Sequence, residues 1–138
     1  MAGEIQTFKM GVYSRKLDEQ PEISLSHGPT NSPIRKRTLF GPSLVPNVTG
    51  FSQAILPIGS SVERHVHESK YETFFCLKGK GKFVVGKTEE TSDEDVELDL
   101  EPGSCITVAP QYWHSVHNVA DDEGLIMLYF GVACPPSI

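Results

Sequence analysis

Three histidines and one glutamate, His65, His67, Glu72 and His114, are the residues of this sequence best suited to metal chemistry. His65 and His67 are two positions apart, and on a β-strand this spacing places both side chains on one face. A turn through residues 68–71 would bring the Glu72 carboxylate back beside both imidazoles, and a neighbouring strand would supply His114. Imidazole nitrogens and one carboxylate can hold a six-coordinate transition-metal ion with positions left for substrate. We therefore predict a metal site at these four residues.

The spacing around these residues resembles the first sequence motif of the cupin superfamily. The segment Gly59-x5-His65-x-His67-x4-Glu72-x6-Gly79 has the motif residue at every fixed position. This resemblance implies that the two histidines and the glutamate are metal ligands.

A second segment, Gly103-x6-Pro110-x3-His114-x3-Asn118, is similar to the second cupin motif. It departs from the pattern because the proline is displaced by one residue and the stretch 111–113 stands where a glycine is usual. The departure concerns the turn before His114 and leaves that ligand in place. With one copy of each motif, the sequence is identified as a small single-domain cupin, a monocupin that binds metal.

The strand pattern and the resemblance together predict an all-β fold, a cupin-type double-stranded β-helix (jelly-roll barrel) with an N-terminal strand-rich arm. From residue 51 onward, β-type runs recur about every eight to twelve residues, as in a barrel or sandwich. We divide the chain into an arm with edge strands, residues 1–50, and the barrel, residues 51–138. The predicted strands are Gln6–Tyr13, Arg35–Phe40, Phe51–Pro57, Ser61–His67, Glu72–Leu77, Gly81–Val85, Asp95–Leu100, Cys105–Ala109, Ser115–Val119 and Gly124–Val132.

Charge and composition limit the partners and the compartment. Twelve basic and eighteen acidic residues give a net charge of −6, which argues against nucleic acid or an anionic membrane as a partner. The longest strongly apolar run, Leu125–Phe130, is far below the roughly 20 residues that cross a bilayer. Three cysteines without scaffold spacing favour reduced thiols in a cytoplasmic protein, and we expect Cys76 and Cys105 to fill the core.

Strand alternation predicts the surroundings of the site. Phe74 and Cys76 share the alternation of Glu72, so they should form an apolar interior wall. His117 has the opposite alternation from His114, and we expect it to face away from the metal.

Tyr112 is the candidate catalytic residue, because it lies in the turn before His114, near the expected barrel mouth. Its hydroxyl would donate a hydrogen bond to substrate or, if the metal charge lowered its pKa, act as a general base. The alternative is that Tyr112 and Trp113 pack at the rim, and Tyr71 and Tyr129 are further candidates of the same type. No lysine is assigned to the site, and the basic run 35–37 is read as solvated flanking charge.

The resemblance implies a metal-dependent enzyme acting on a small oxygen-bearing substrate, with dioxygenase-type chemistry at a centre of three histidines and one glutamate as the first hypothesis. A metal-dependent lyase, isomerase or decarboxylase, or a non-catalytic small-molecule-binding cupin, stays open because one barrel hosts many chemistries. The expected cofactor is a divalent transition metal, Fe or Mn in function. Ni or Zn would occur in a purified sample, since raw affinity favours them. The resemblance further implies a homodimer through the N-terminal strands.

Overall fold

The computed structural model describes residues 6–25 and 32–134, and it has ten strands and a short 3-10 turn at Leu17–Glu19. Residues 1–5, 26–31 and 135–138, which belong to the predicted arm and the end of the predicted barrel, lie outside the described residues. None of the described helices is long and apolar enough to span a membrane. The strands are β1 Ile23–Ser24, β2 Arg35–Phe40, β3 Val48–Leu56, β4 Ser61–His65, β5 Lys70–Lys78, β6 Gly81–Gly86, β7 Val96–Leu100, β8 Cys105–Val108, β9 Trp113–Asn118 and β10 Leu125–Ala133.

Two antiparallel sheets form the described part of the chain. One has six strands in the order β1-β2-β3-β10-β5-β8, and the other has four in the order β4-β9-β6-β7. Strands distant in sequence are neighbours, as β3 with β10 and β4 with β9, which is the crossing pattern of a jelly roll. The predicted all-β jelly-roll fold is therefore confirmed. Because β2 of the predicted arm pairs with β3, the two parts share one sheet, and the division at residue 50 stays a prediction.

The core lies between the two sheets and is filled by alternate residues of each strand. On β5, Glu72, Phe74 and Cys76 are buried, whereas Phe75 and Leu77 are exposed on the opposite face. This confirms the predicted interior wall. It also places Glu72 on the inner face of the larger sheet, opposite the smaller one.

The strand predicted over Gln6–Tyr13 is wrong. The structure has only an isolated bridge between Lys9 and Val12, around a turn in which Met10 and Gly11 have φ of 52° and 75°. Two consecutive residues with positive φ reverse the chain, so the apolar alternation of this segment does not correspond to an extended strand.

The strand predicted over Ser61–His67 ends early, at His65, so the two histidines do not lie on one strand. The pairing of β4 with β9 shifts between Val62 and His65, and the chain then leaves the sheet. The backbone oxygen of His67 instead accepts a hydrogen bond from the Gln111 amide at 2.7 Å. His67 is thus held by the turn that precedes β9.

Cys105 is not part of the core, contrary to the prediction, whereas Cys76 is fully buried as expected. Cys105 pairs with Phe75 across β8 and β5, and directly paired side chains share a face of the sheet. Since Phe75 faces outward, Cys105 does so too.

The motif glycines are required by the turns around the site. Gly59, Gly79 and Gly103 have φ of 76°, 94° and 95°, in the left-handed region that glycine adopts without strain. At Gly79 a Cβ atom would also lie 2.5 Å from the backbone oxygen of Gly124. These turns fix the end of β5 and the starts of β4 and β8.

Candidate metal centre

The four residues predicted as ligands meet between the two sheets. His65 at the end of β4 pairs directly with His114 on β9, and Glu72 reaches them from β5 of the facing sheet. His67 joins them, and four donor atoms, one from each of the four residues, all lie within 4.8 Å of one another. The Glu72 Oε1 atom is 2.9 Å from His67 Nε2 and 3.2 Å from His114 Nε2. Residues that are far apart in sequence thus form one cluster that can hold an ion.

The spacing of the donor atoms fits a single transition-metal ion. Two ligands that each lie about 2.1 Å from one ion are about 3.0 Å apart when adjacent and about 4.2 Å apart when opposite. The two distances from Glu72, 2.9 and 3.2 Å, match adjacent ligands. No two of the donor atoms are more than 4.8 Å apart, so at most a small side-chain rotation is needed to bring the widest pair to the opposite-ligand distance.

The hydrogen bonds of two histidines fix which ring nitrogen can bind an ion. His65 Nδ1 lies 2.7 Å from the Glu63 carbonyl, and His114 Nδ1 lies 3.2 Å from the Tyr112 carbonyl. A carbonyl oxygen only accepts, so in both rings Nδ1 carries the proton, and in the neutral ring Nε2 has the lone pair. Such bonds to the second ring nitrogen are typical of metal-binding histidines, because they fix the tautomer and the ring orientation.

The contact between Glu72 and His114 needs a shared cation. Neutral His114, protonated on Nδ1, would direct a lone pair at the carboxylate oxygen 3.2 Å away. Two such acceptors repel each other unless a proton or a metal ion lies between them. The arrangement therefore suits a divalent metal on chemical grounds.

Glu72 is buried and ionised. Burial alone would raise the pKa of its carboxyl, but the contacts with the His114 and His67 rings and the charge of Lys70 hold that pKa well below its usual range. A carboxylate in this state is ready to bind a cation at neutral pH.

Aromatic side chains hold the cluster in place. The Phe83 ring stacks on His114 with centroids 5.9 Å apart and an interplanar angle of 4°. Phe74 packs against Phe83 at 5.1 Å and against Tyr129 at 5.9 Å. The imidazole of His114 is therefore fixed by packing on one side and by the Tyr112 carbonyl on the other.

His117 lies outside the cluster, as its alternation predicts. Its Nε2 and Nδ1 atoms form hydrogen bonds of 2.9 Å with the hydroxyls of Ser115 and Ser61. Both ring nitrogens are used on the other face of β9, and His117 serves as a matched control for the cluster.

The turn before His114 keeps its shape although it lacks the usual glycine. Gln111 has a φ of 71°, the left-handed conformation, and its amide donates the hydrogen bond to His67. Tyr112 follows and is 40% exposed, and it is not among the residues that line the cavity beside the cluster. Trp113 begins β9 and is half-buried. The catalytic role of Tyr112 stays a prediction.

A cavity of about 150 Å³ opens beside the cluster. His65, Glu72 and His114 line it, together with apolar side chains from both sheets. Its other polar lining residues are Lys36, Thr49, Ser52, Lys70 and Tyr129. The arrangement suits a small, polar ligand that reaches the cluster.

Sequence reasoning missed the two lysines of this cavity. Lys36 was expected to be solvated, but it faces the cavity from β2. Lys70 was expected in a turn, but β5 begins at this residue, and its Nζ atom lies 3.6 Å from Glu72 Oε2. The alternation that placed Phe74 inward would have found Lys70 too, had the strand been extended two residues toward the N-terminus.

Tyr129 is the tyrosine that the structure brings to the cavity. Burial raises the pKa of Tyr129 to about 12, the charge of Glu72 acts in the same direction, and a hydrogen bond with Ser52 acts against both. At neutral pH its hydroxyl is therefore protonated and can donate a hydrogen bond. Tyr71, the other tyrosine near the motif, is exposed on the outer face of β5.

Comparison with known proteins identifies the family. A family model described as "Cupin domain" matches residues 52–130, more than half of the chain. The chain belongs to the cupin family. Its predicted motifs lie within the matched segment, and so do all four residues of the cluster.

Similar proteins support the cupin fold without identifying a function. An uncharacterized protein, MJ1618 from Methanocaldococcus jannaschii, is 23% identical over 86 residues, which make up 62% of either chain. The match thus spans less than two thirds of that relative. Among solved structures, a predicted oxalate decarboxylase from Thermotoga maritima has a TM-score of 0.69 at 19% identity and covers 88% of this cupin and 99% of that chain. The cupin domain of Cnp3 from Schizosaccharomyces pombe has a TM-score of 0.67 at 14% identity, covering 87% and 73%.

Proposed function

We propose that this cupin is a metal-dependent enzyme that acts on a small oxygen-bearing substrate, with dioxygenase-type chemistry at a centre of three histidines and one glutamate. One observation carries the proposal: three imidazoles and a buried carboxylate converge within 4.8 Å, and His65, His114 and Glu72 of this cluster line a small cavity. Four protein ligands on a six-coordinate ion leave two positions for substrate or for substrate and dioxygen. When bound, the ion would supply Lewis acidity or dioxygen activation.

The residues of this chain divide the remaining tasks. His65, His67, Glu72 and His114 would hold the ion, and the rings of Phe74 and Phe83 exclude water from one side of it. A site with few competing waters strengthens each polar contact made to a bound ligand.

Two tyrosines are candidates for hydrogen bonding to the substrate. Tyr129 lines the cavity and carries its proton at neutral pH. Tyr112 is at the surface beside the ligand His114, and would reach substrate only at the cavity mouth. Substitution of each by phenylalanine separates the two roles. Loss of turnover in Tyr129→Phe alone would assign the role to Tyr129.

We propose Fe or Mn as the functional ion, with Ni or Zn as an alternative in purified samples. The test is elemental analysis of protein expressed in medium with each metal, paired with oxygen-uptake measurements over small enols, thiols and diketones. Oxygen uptake with the Fe form alone would support a dioxygenase. A preparation that holds none of these metals at a stoichiometric level would refute the metal centre.

A decarboxylase or other lyase is the second candidate, favoured by the two lysines in the cavity, which would attract an acidic substrate. The solved structure with a TM-score of 0.69 is itself described as a predicted oxalate decarboxylase. Release of carbon dioxide without oxygen uptake would support this candidate. Thermal stabilisation by a small molecule without turnover would favour a non-catalytic binding cupin.

Homodimerisation and a cytoplasmic location complete the proposal. The dimer is predicted through the N-terminal strands, and the larger sheet to which β1 and β2 belong exposes apolar side chains on its outer face, among them Phe75, Leu77 and Phe130, which a second subunit would cover. Light scattering that gives the mass of a single chain would refute the dimer. Cell fractionation tests the location.

A further inference from the structure

The cavity beside the cluster contains more positive charge than an uncharged substrate would need. Lys36 and Lys70 both line it, and Glu72 is the one acidic side chain among the described residues of its wall. With a divalent ion bound, Glu72 would be outweighed by the ion and two ammonium groups. An excess of one sign in a small, partly buried cavity favours a ligand of the opposite sign.

Lys36 is directed into the cavity by its strand register. It pairs with Ala54 across β2 and β3, and Ala54 is buried with 4% exposure. Directly paired side chains lie on the same face of a sheet, so Lys36 must point inward. The single methyl group of Ala54 leaves room for the lysine stem. Among the residues that the structure describes, Lys36 has no ion-pair partner.

Lys70 lies over the wall of the same cavity. It shares the alternation of Glu72 on β5, and its stem passes Gly131 of β10, where a Cβ atom would be 3.4 Å from Lys70 Cδ and would overlap Thr49 Oγ1. The absence of a side chain at Gly131 therefore leaves space for the Thr49 hydroxyl beside the Lys70 stem. The 3.6 Å from its Nζ atom to Glu72 is too long for a hydrogen bond, so this contact leaves its N–H donors available to a ligand.

We propose that Lys36 and Lys70 bind a carboxylate group of the substrate, while the rest of the substrate lies at the metal cluster. This inference rests on the proposed function and names its substrate class, a small carboxylic acid. A cavity of about 150 Å³ has the volume of one that holds benzene, so it suits a substrate portion of roughly six or seven non-hydrogen atoms.

Calorimetric titration with malonate and malonamide tests the charge requirement. The two molecules have the same size and shape, and only malonate is charged. We expect the Mn-loaded protein to bind malonate and not malonamide. Lys36→Met and Lys70→Met should each weaken malonate binding about tenfold, the usual order for one charge-assisted hydrogen bond. Lys36→Arg should restore most of the affinity, which a merely structural role would not explain.

Lys78→Met is the matched control, because Lys78 lies at the other end of β5 and is exposed. Its malonate affinity should equal that of wild type. Equal affinity in Lys36→Met, Lys70→Met and Lys78→Met would overturn the proposal. Equal affinity of wild type for malonate, sulfate and phosphate would overturn the assignment to carboxylates.

Metal content separates this proposal from the proposed function. Malonate itself chelates metal ions, so the Mn content of each variant is determined before malonate is added. The malonate titration is then repeated on each variant after dialysis against a chelator has removed the metal. A wild type that holds no metal, yet loses malonate binding on Lys36→Met, would refute the metal enzyme and keep the carboxylate site. A wild type that holds Mn and binds malonate without dependence on the lysines would do the reverse.

Discussion

Replacement of His67 by alanine gives the sharpest test of the cluster, with His117→Ala as its control. His67 contributes one of the four donors, whereas both nitrogens of His117 bind serine hydroxyls. A ligand present at 100 times its Kd stabilises a folded protein by about 2.7 kcal/mol. For 138 residues, an unfolding entropy of about 2.1 cal/mol/K per residue converts this into a rise of about 9 °C in Tm.

Loss of one ligand should remove most of that rise. If His67→Ala weakens metal binding about 100-fold, the same metal concentration equals the new Kd, and the stabilisation falls to about 0.4 kcal/mol, or roughly 1 to 2 °C. His117→Ala loses two hydrogen bonds and about 1–2 kcal/mol of stability with or without metal. Its metal-induced rise in Tm should therefore equal that of wild type.

The readout is the difference in Tm with and without metal, measured by calorimetry at one metal concentration for all three proteins. This difference cancels the cost that each substitution has for the metal-free fold. Equal rises in His67→Ala and His117→Ala would refute the geometric reasoning, since the cluster would then not distinguish the two residues.

Further predictions concern the surroundings of the cluster. Gln111→Gly should raise the free energy of unfolding by up to about 1 kcal/mol, because a non-glycine residue is strained at a φ of 71°; chemical denaturation that finds a loss instead would contradict this. Tyr129, with a raised pKa of about 12, should ionise last of the four tyrosines in an ultraviolet titration. Tyrosine in the unfolded chain ionises near pH 10, below the pKa of about 12 that Tyr129 has in the folded protein, so the free energy of unfolding should fall as the pH rises above about 10. Tyr129→Phe should abolish both the late ionisation and this fall in stability. Arg64→Met should destabilise the protein by about 1 to 2 kcal/mol and expose the loop 87–95 to proteases, because the half-buried Asp95 would lose its partner at 3.2 Å; unchanged cleavage would exclude Arg64 as the anchor of this loop.

The sequence was sufficient to find the residues of the cluster, because their spacing is dictated by the fold. His65 and His114 are paired across β4 and β9, and Glu72 lies at the level where β5 passes them, so the motif spacing is set by strand length and turn length. The prediction that His65 and His67 lie on one strand was wrong. His67 reaches the cluster from beyond the end of β4, through a backbone contact with Gln111 that no local pattern indicates.

The cavity could not be predicted in the same way. Three polar residues of the cavity come from strands that are far apart in sequence: Lys36 from β2, Lys70 from β5 and Tyr129 from β10. These strands come close together only when the six-stranded sheet forms. Register decides which of their faces turns inward, and a shift of one residue would reverse it. Proximity in sequence favoured Tyr112 over Tyr129, whereas proximity in the folded sheet favours Tyr129.

The two proposed ligands of this site should strengthen each other. Without an ion, the charge of Glu72 offsets one of the two lysines, and a carboxylate substrate would meet only the remaining positive charge. A bound divalent ion would neutralise Glu72 and leave both lysines to the substrate, so metal should raise malonate affinity. Thermodynamic linkage then requires malonate to raise metal affinity by the same factor. Calorimetric titrations of Mn with and without malonate, compared with titrations of malonate with and without Mn, measure this factor twice. The factor should fall in Lys36→Met, which removes a charge without touching the cluster, and a factor that stays at the wild-type value would show that the lysines and the ion act on malonate independently.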